Sequence, residues 1–183
     1  PFTFAFAQVG TNCGLVGQNA CVEVDGSAYW MSENGFFRYA GKLESLPCLV
    51  EDHVYDNINL ESGNQMVSAG LNNLFGEVMW FYPTTGSSVV NRMVCYNYFD
   101  SSPKRPVWTV GTLARTMWQD SAVFGSPHAT EYTAGNDASF DVVGNTEGRT
   151  IYYQHETGTD QVQGGATTAI TANISSGDFD ISQ

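Results

Sequence analysis

Aromatic and β-branched residues recur along this chain in short alternating runs that end at Gly, Asn, Ser or Pro. That is the pattern of antiparallel strands and tight turns. The run SAYWM enters the turn SENG and leaves it as FFRYAG, while EVMWFYP passes through TTGSSVVN into RMVCYNYF, with PVWTVG after it. These stretches, around residues 29–41 and 77–111, read as two copies of one strand–turn–strand unit. Trp30 and Trp80 lie about 50 residues apart, the period of kelch-type propeller blades. A weaker third copy, RTIYYQHETG, begins at Arg149. The predicted fold class is mainly β, with antiparallel strand–turn–strand repeats forming part of a β-propeller-like body. One short helix is expected near 52–58, and blade-like units over about 22–60, 71–118 and 149–181 of the segment 1–183.

The same reading extends between the units. PFTFAFAQVG places Phe2, Phe4 and Phe6 on one face, the period of a half-buried strand. TNCGLVGQNA reads as a glycine-rich turn, and CVEVDG as a short strand ending in an Asp-Gly turn. In EDHVYDNIN, Val54 and Ile58 are four apart with acidic residues in front, which favours one or two helical turns. NQMVSAGLNNLFG reads as an outer strand and turn. Val78, Trp80 and Tyr82 share one face of their strand and Met79 and Phe81 the other, so this strand is expected between two layers. Trp118 and Phe124 read as plugs packing one sheet on the next. Phe140, Val142 and Val143 form a strand in an otherwise polar stretch, and TTAITANI forms another.

Composition narrows the function classes. Charged residues make up 14% and aromatics 13% of the 183 residues, against about 25% charged in an average soluble domain. This profile suits β-rich proteins with large buried or subunit-facing surfaces, and the aromatic content argues against disorder. Nineteen acidic residues face seven basic ones, a net charge of −12. The basic residues Arg38, Lys42, Arg92, Lys104, Arg105, Arg115 and Arg149 are scattered, whereas a phosphate-binding surface needs them clustered. The acidity reads either as solubility or as a surface to which a polyanion must not adhere. The opening at Pro1 and the strand-like close GDFDISQ are expected of an internal segment of a longer polypeptide, or of a processed precursor. No run approaches the roughly 18 apolar residues needed to span a membrane, and no signal-peptide pattern opens the chain.

Candidate chemistry is sparse. Cys13, Cys21, Cys48 and Cys95 have no zinc spacing; Cys48 and Cys95 read as small buried hydrophobes, and Cys13 and Cys21 as free thiols or a pair. His53, His128 and His155 fall in different units. No nucleophile elbow, P-loop or dinucleotide motif occurs, and Asp137 and Asp141 do not fit a calcium loop. Asn173-Ile174-Ser175 is formally a glycosylation sequon. No catalytic, cofactor-binding or metal-binding residue is assigned, and the chain is not expected to be an enzyme.

The stretches YWMSENGFFRYAGKLESLPCLVEDHVYDNIN, EVMWFYPTTGSSVVNRMVCYNYF and VWTVGTLARTMWQDSAVFGSPHAT, with the later YYQHETG and SGDFDI, occur in a telling order. An aromatic strand, a Gly-marked hairpin, SLPC before a short acidic helix, a W-F-Y-P strand and a G-x-L-x-R-T-x-W turn follow one another. Over about 25–181 this resembles the bacteriophage tail nozzle proteins, also called tail tubular protein B or packaged-DNA stabilisation protein. The resemblance implies a β-propeller body, self-association into a ring expected to be a hexamer, and contacts with the head-to-tail adaptor and tail fibre proteins. It implies passive contact with genomic DNA in an exit channel, retention of the genome until ejection, and a place in the virion tail after folding in the host cytoplasm. Two other classes fit a motif-poor propeller. A receptor-binding or adhesin tail protein should expose an aromatic-lined pocket at a blade junction; a propeller-type glycan hydrolase should hold two carboxylates about 5–10 Å apart in a cleft.

Overall fold

Two-residue turns organise the first sheet. In the computed structural model, which describes residues 3–61, 64–121, 125–133, 149–155, 159–160 and 168–169, strands β1 (Cys21–Val24), β2 (Ser27–Ser32), β3 (Gly35–Tyr39) and β4 (Leu43–Leu46) form an antiparallel meander. The β1–β2 turn is Asp25-Gly26, with φ of 47° and 76°. Two successive left-handed residues are what a tight hairpin needs, and Asp-Gly adopts them at low cost. Helix α1 (Glu51–Tyr55) follows, with Glu51 and Asp52 in its first turn where the helix dipole favours them. The Tyr55 hydroxyl donates to the carbonyl of Ser32 at 2.6 Å and accepts the Gly35 N–H at 3.1 Å, so the helix fastens the β2–β3 turn. Burial pushes the Tyr55 hydroxyl above its ordinary pKa.

A second meander repeats the design. Strands β5 (Ser68–Asn72), β6 (Glu77–Tyr82), β7 (Arg92–Asn97) and β8 (Trp108–Gly111) pair in sequence order, all antiparallel. A third sheet pairs β9 (Met117–Gln119), β10 (His128–Thr133) and β11 (Arg149–Gln154), again antiparallel, and a two-stranded ladder joins β12 (Thr159–Asp160) to β13 (Thr168–Ala169). Mainly β structure with antiparallel sheets and one short α-helix is thus the architecture of the described residues.

The packing follows from strand alternation. Val78, Trp80 and Tyr82 point from β6 onto the first sheet, where Tyr29, Met31 and Phe36 meet them with Val54 of α1. Met79 and Phe81 point the other way, into a smaller cluster with Val90 and Cys95 on which Trp118 packs. All five of these β6 residues are buried, so both faces of one strand are covered as its sequence predicts. Trp30 and Trp80 hold the same place: each is the fourth residue of the second strand of its meander. Trp30 lies between Cys21 and Phe37, Trp80 between Ala69 and Val94. Each indole N–H donates backwards along the chain, Trp30 to the carbonyl of Cys13 at 2.7 Å and Trp80 to that of Ala20 at 3.0 Å.

Some expectations fail. The run 3–10 forms no strand, and Phe4 and Phe6 are 87% and 100% exposed. Gly10 packs on Leu43 of β4, but among the described residues no β ladder takes up 3–10, and an alternating pattern becomes a half-buried strand only where a sheet edge accepts its hydrogen bonds. The run at Arg149 forms β11, paired with β10 in the sheet that also holds β9. Trp118 is only partly buried, although it stacks on Phe81 at 6.0 Å. Of the two alternatives for Cys13 and Cys21, the free thiols are what the structure has. Phe2, Phe124, Asp137, Asp141, the strand at 140–143, the sequon at 173–175 and most of 149–181 lie outside the described residues.

Truncating Trp80 to Ala removes a fully buried side chain and one hydrogen bond. It should cost about 3–5 kcal/mol in chemical denaturation. Gly70 lies against Trp118, with an added Cβ falling 2.8 Å from the indole carbons. Gly70→Ala should therefore displace Trp118, cost about 1–3 kcal/mol and shift the tryptophan emission.

Candidate functional site

An open groove of about 510 Å³ lies between the first two sheets, lined by the β1–β2 turn with parts of β2, β3 and β4 on one side and by the end of β7 and the β7–β8 connection on the other. Tyr29 of β2 forms its floor. Tyr96 at the end of β7 and Tyr98 just beyond it stand over that floor, their ring centroids 6.2 and 6.3 Å from that of Tyr29. Tyr96 is backed by Trp108 at 4.9 Å, which fixes its plane. Arg38, facing the same way from β3, lays its guanidinium 5.6 Å from the Tyr29 ring centre and donates to the Ser27 hydroxyl at 3.3 Å. Glu44 stands 3.7 Å from Arg38. Both side chains are well exposed, so the pair adds little stability. The Arg38 Nε is buried with no acceptor. Asp25, Ser45, Ser101 and Ser102 complete the polar lining. Burial raises the Tyr29 hydroxyl pKa; Arg38 opposes that shift, and the Asp25 and Glu44 carboxylates add to it.

A second polar cluster sits on the third sheet, around Arg115, which is only 6% exposed. Its Nε donates to Nε2 of His155 at 3.1 Å, and one terminal nitrogen reaches Glu131 at 3.4 Å and the Ala114 carbonyl at 2.6 Å. The guanidinium lies 3.8 Å from the centre of the Tyr153 ring, whose hydroxyl donates to Glu131 at 2.8 Å. Trp118 packs on His155 with centroids 4.8 Å apart. Burial, then the Arg115 charge and His128, pull the His155 pKa down to about 4. A buried arginine paired to a carboxylate and stacked on an aromatic ring is satisfied within the protein. The cluster is accordingly a fastening of the third sheet, with no exposed nucleophile.

The remaining candidates separate. His53 lies on α1, far along the chain from His128 and His155, which the third sheet brings close. Burial pushes the Cys95 thiol up to about 12 and the Cys48 thiol up to about 11. Neither is a thiolate near neutral pH, so neither is an activated nucleophile. Among the described residues, no three His, Cys, Asp or Glu side chains gather as a metal site would require, and no helix is long and apolar enough to cross a membrane. In comparisons with protein-family models and with curated proteins, nothing matches the chain.

Sequence reasoning missed both polar features. The tyrosines of the groove belong to two sheets, and only their stacking brings Tyr29 to Tyr96 and Tyr98. Glu131 and Tyr153 lie on two different strands and Arg115 and His155 on the loops beside them; the one signal was a charged residue in a chain poor in charge.

The folded state binds a proton at His155 only near pH 4, whereas the unfolded chain binds it near 6.5. In that window the unfolded state carries more protons, so stability falls as pH is lowered through it. Urea midpoints recorded from pH 7 to 4 should decline, and His155→Gln should flatten the decline.

Proposed function

We propose that the chain forms part of the wall of a bacteriophage tail nozzle: a ring-forming structural protein that lines the DNA exit channel and helps to retain the packaged genome. The observation that carries this reading is the succession of four-stranded meanders with tryptophans at matching places, each indole hydrogen-bonded to chain that precedes its own strand. That arrangement suits radially repeated, propeller-like blades, in which every sheet is sandwiched by neighbours. The ordered segments resembling tail nozzle proteins support it further. The net charge of −12 suits a wall along which duplex slides without adhering, because no Lys and Arg array is present to release counterions. In this reading the partners are further copies of the chain, the head-to-tail adaptor and tail fibre proteins, and the protein is placed in the virion tail.

A receptor-binding tail protein is the second reading. The tyrosine-lined groove at the junction of the first two sheets favours it.

Particle mass and negative-stain images of the purified protein test the wall reading. A closed ring of identical copies, with no measurable binding of free duplex DNA at low salt, is the expected result. A monomer that binds duplex tightly would overturn it.

A further inference from the structure

The groove between the first two sheets has a chemistry that a channel wall does not require. Its volume of about 510 Å³ lies in the range of small-ligand sites, roughly 300–1,000 Å³. Tyr96 and Tyr98, two residues apart on one side of the chain, present half-buried rings. Contacts from Trp108 and Tyr29 hold these rings in place, so a ligand meets flat apolar surfaces that need no further ordering. Around them stand carboxylate acceptors on Asp25 and Glu44 and hydroxyls on Ser45, Ser101 and Ser102. We propose that this groove binds an uncharged oligosaccharide.

The match is one of shape and polarity. A sugar ring has an apolar C–H face that lies on an aromatic ring and an edge of hydroxyls that hydrogen-bonds to carboxylates and serines. An anionic ligand fits worse. Arg38, the one cation in the lining, already has Glu44 at 3.7 Å and donates to Ser27, and Asp25 adds a second negative charge. A cationic ligand meets that same guanidinium beside Tyr29. A purely apolar ligand would strip water from at least five polar side chains without replacing their hydrogen bonds. The proposal needs neither functional reading, since a wall subunit and a receptor-binding subunit would both carry the groove.

Saturation-transfer NMR on the full chain tests it, with maltotetraose, cellotetraose and N-acetylchitotetraose as separate probes and inorganic phosphate as competitor. At least one tetrasaccharide should receive saturation from the tyrosine rings, and phosphate should not displace it. Ser102→Trp fills the exposed lip of the groove without touching the core and should abolish the signal. Tyr96→Leu keeps apolar bulk against Trp108 and should weaken binding by about tenfold. Tyr152→Ala, on the third sheet, should leave binding unchanged, and circular dichroism should show all variants folded. Failure of all three sugars, survival of binding in Ser102→Trp, or displacement by phosphate would overturn the proposal. None of those outcomes alters the ring test of the wall reading.

Discussion

The carbonyl of Ala20 accepts two hydrogen bonds, one from the backbone N–H of Met31 at 3.1 Å and one from the Trp80 indole at 3.0 Å. The first belongs to the first sheet; the second reaches across from the second sheet, sixty positions further along. Ala20 and Trp80 are both wholly buried, so this junction lies where an unpaired indole N–H would cost about 1–3 kcal/mol. Fixing the indole there sets the depth at which the two sheets meet. Phe36 then finds Trp80 at 4.9 Å and Trp108 at 4.7 Å, and Trp108 carries the contact on to Tyr96. An aromatic column thus runs from the centre of the core to Tyr96 in the groove.

The other tryptophans follow the same rule. Trp108 donates to the Pro47 carbonyl at 2.8 Å and Trp118 to the Leu71 carbonyl at 2.9 Å. In each case the acceptor belongs to chain laid down earlier, in the preceding sheet or its connection. A large apolar ring with one donor at its edge does two jobs at once, filling space between sheets and donating to a backbone oxygen of an earlier segment. This explains why a chain with so few charges is so rich in aromatic residues: orientation comes from indole donors where other proteins use ion pairs.

The parts of the fold legible in the sequence were those decided locally. The Asp25-Gly26 turn, the acidic start of α1 and the two-faced apolar pattern of β6 each rest on a few adjacent residues, and each is where the pattern put it. Residues 3–10 misled because alternation reports a preference, while a strand also needs a partner edge. The strand at 128–133 was missed because HATEYT mixes polar residues with a single buried Ala129. The polar clusters were illegible for a different reason: Arg115 with His155, and Tyr29 with Tyr96, are neighbours only through sheet pairing and stacking.

The two-sided burial of β6 also bears on how the chain is made. Each meander pairs strands adjacent in sequence, so each can close quickly and by itself. Synthesis delivers the first two sheets before the third, however, and until Trp118 arrives the Met79 and Phe81 face of β6 is covered only by Met66, Val90, Met93 and Leu113. A half-emerged chain therefore carries an adhesive stripe on an otherwise finished sheet, the kind of surface on which nascent polypeptides associate wrongly. The order of the sheets thus leaves that face incompletely covered while the chain between residue 82 and residue 118 is being made.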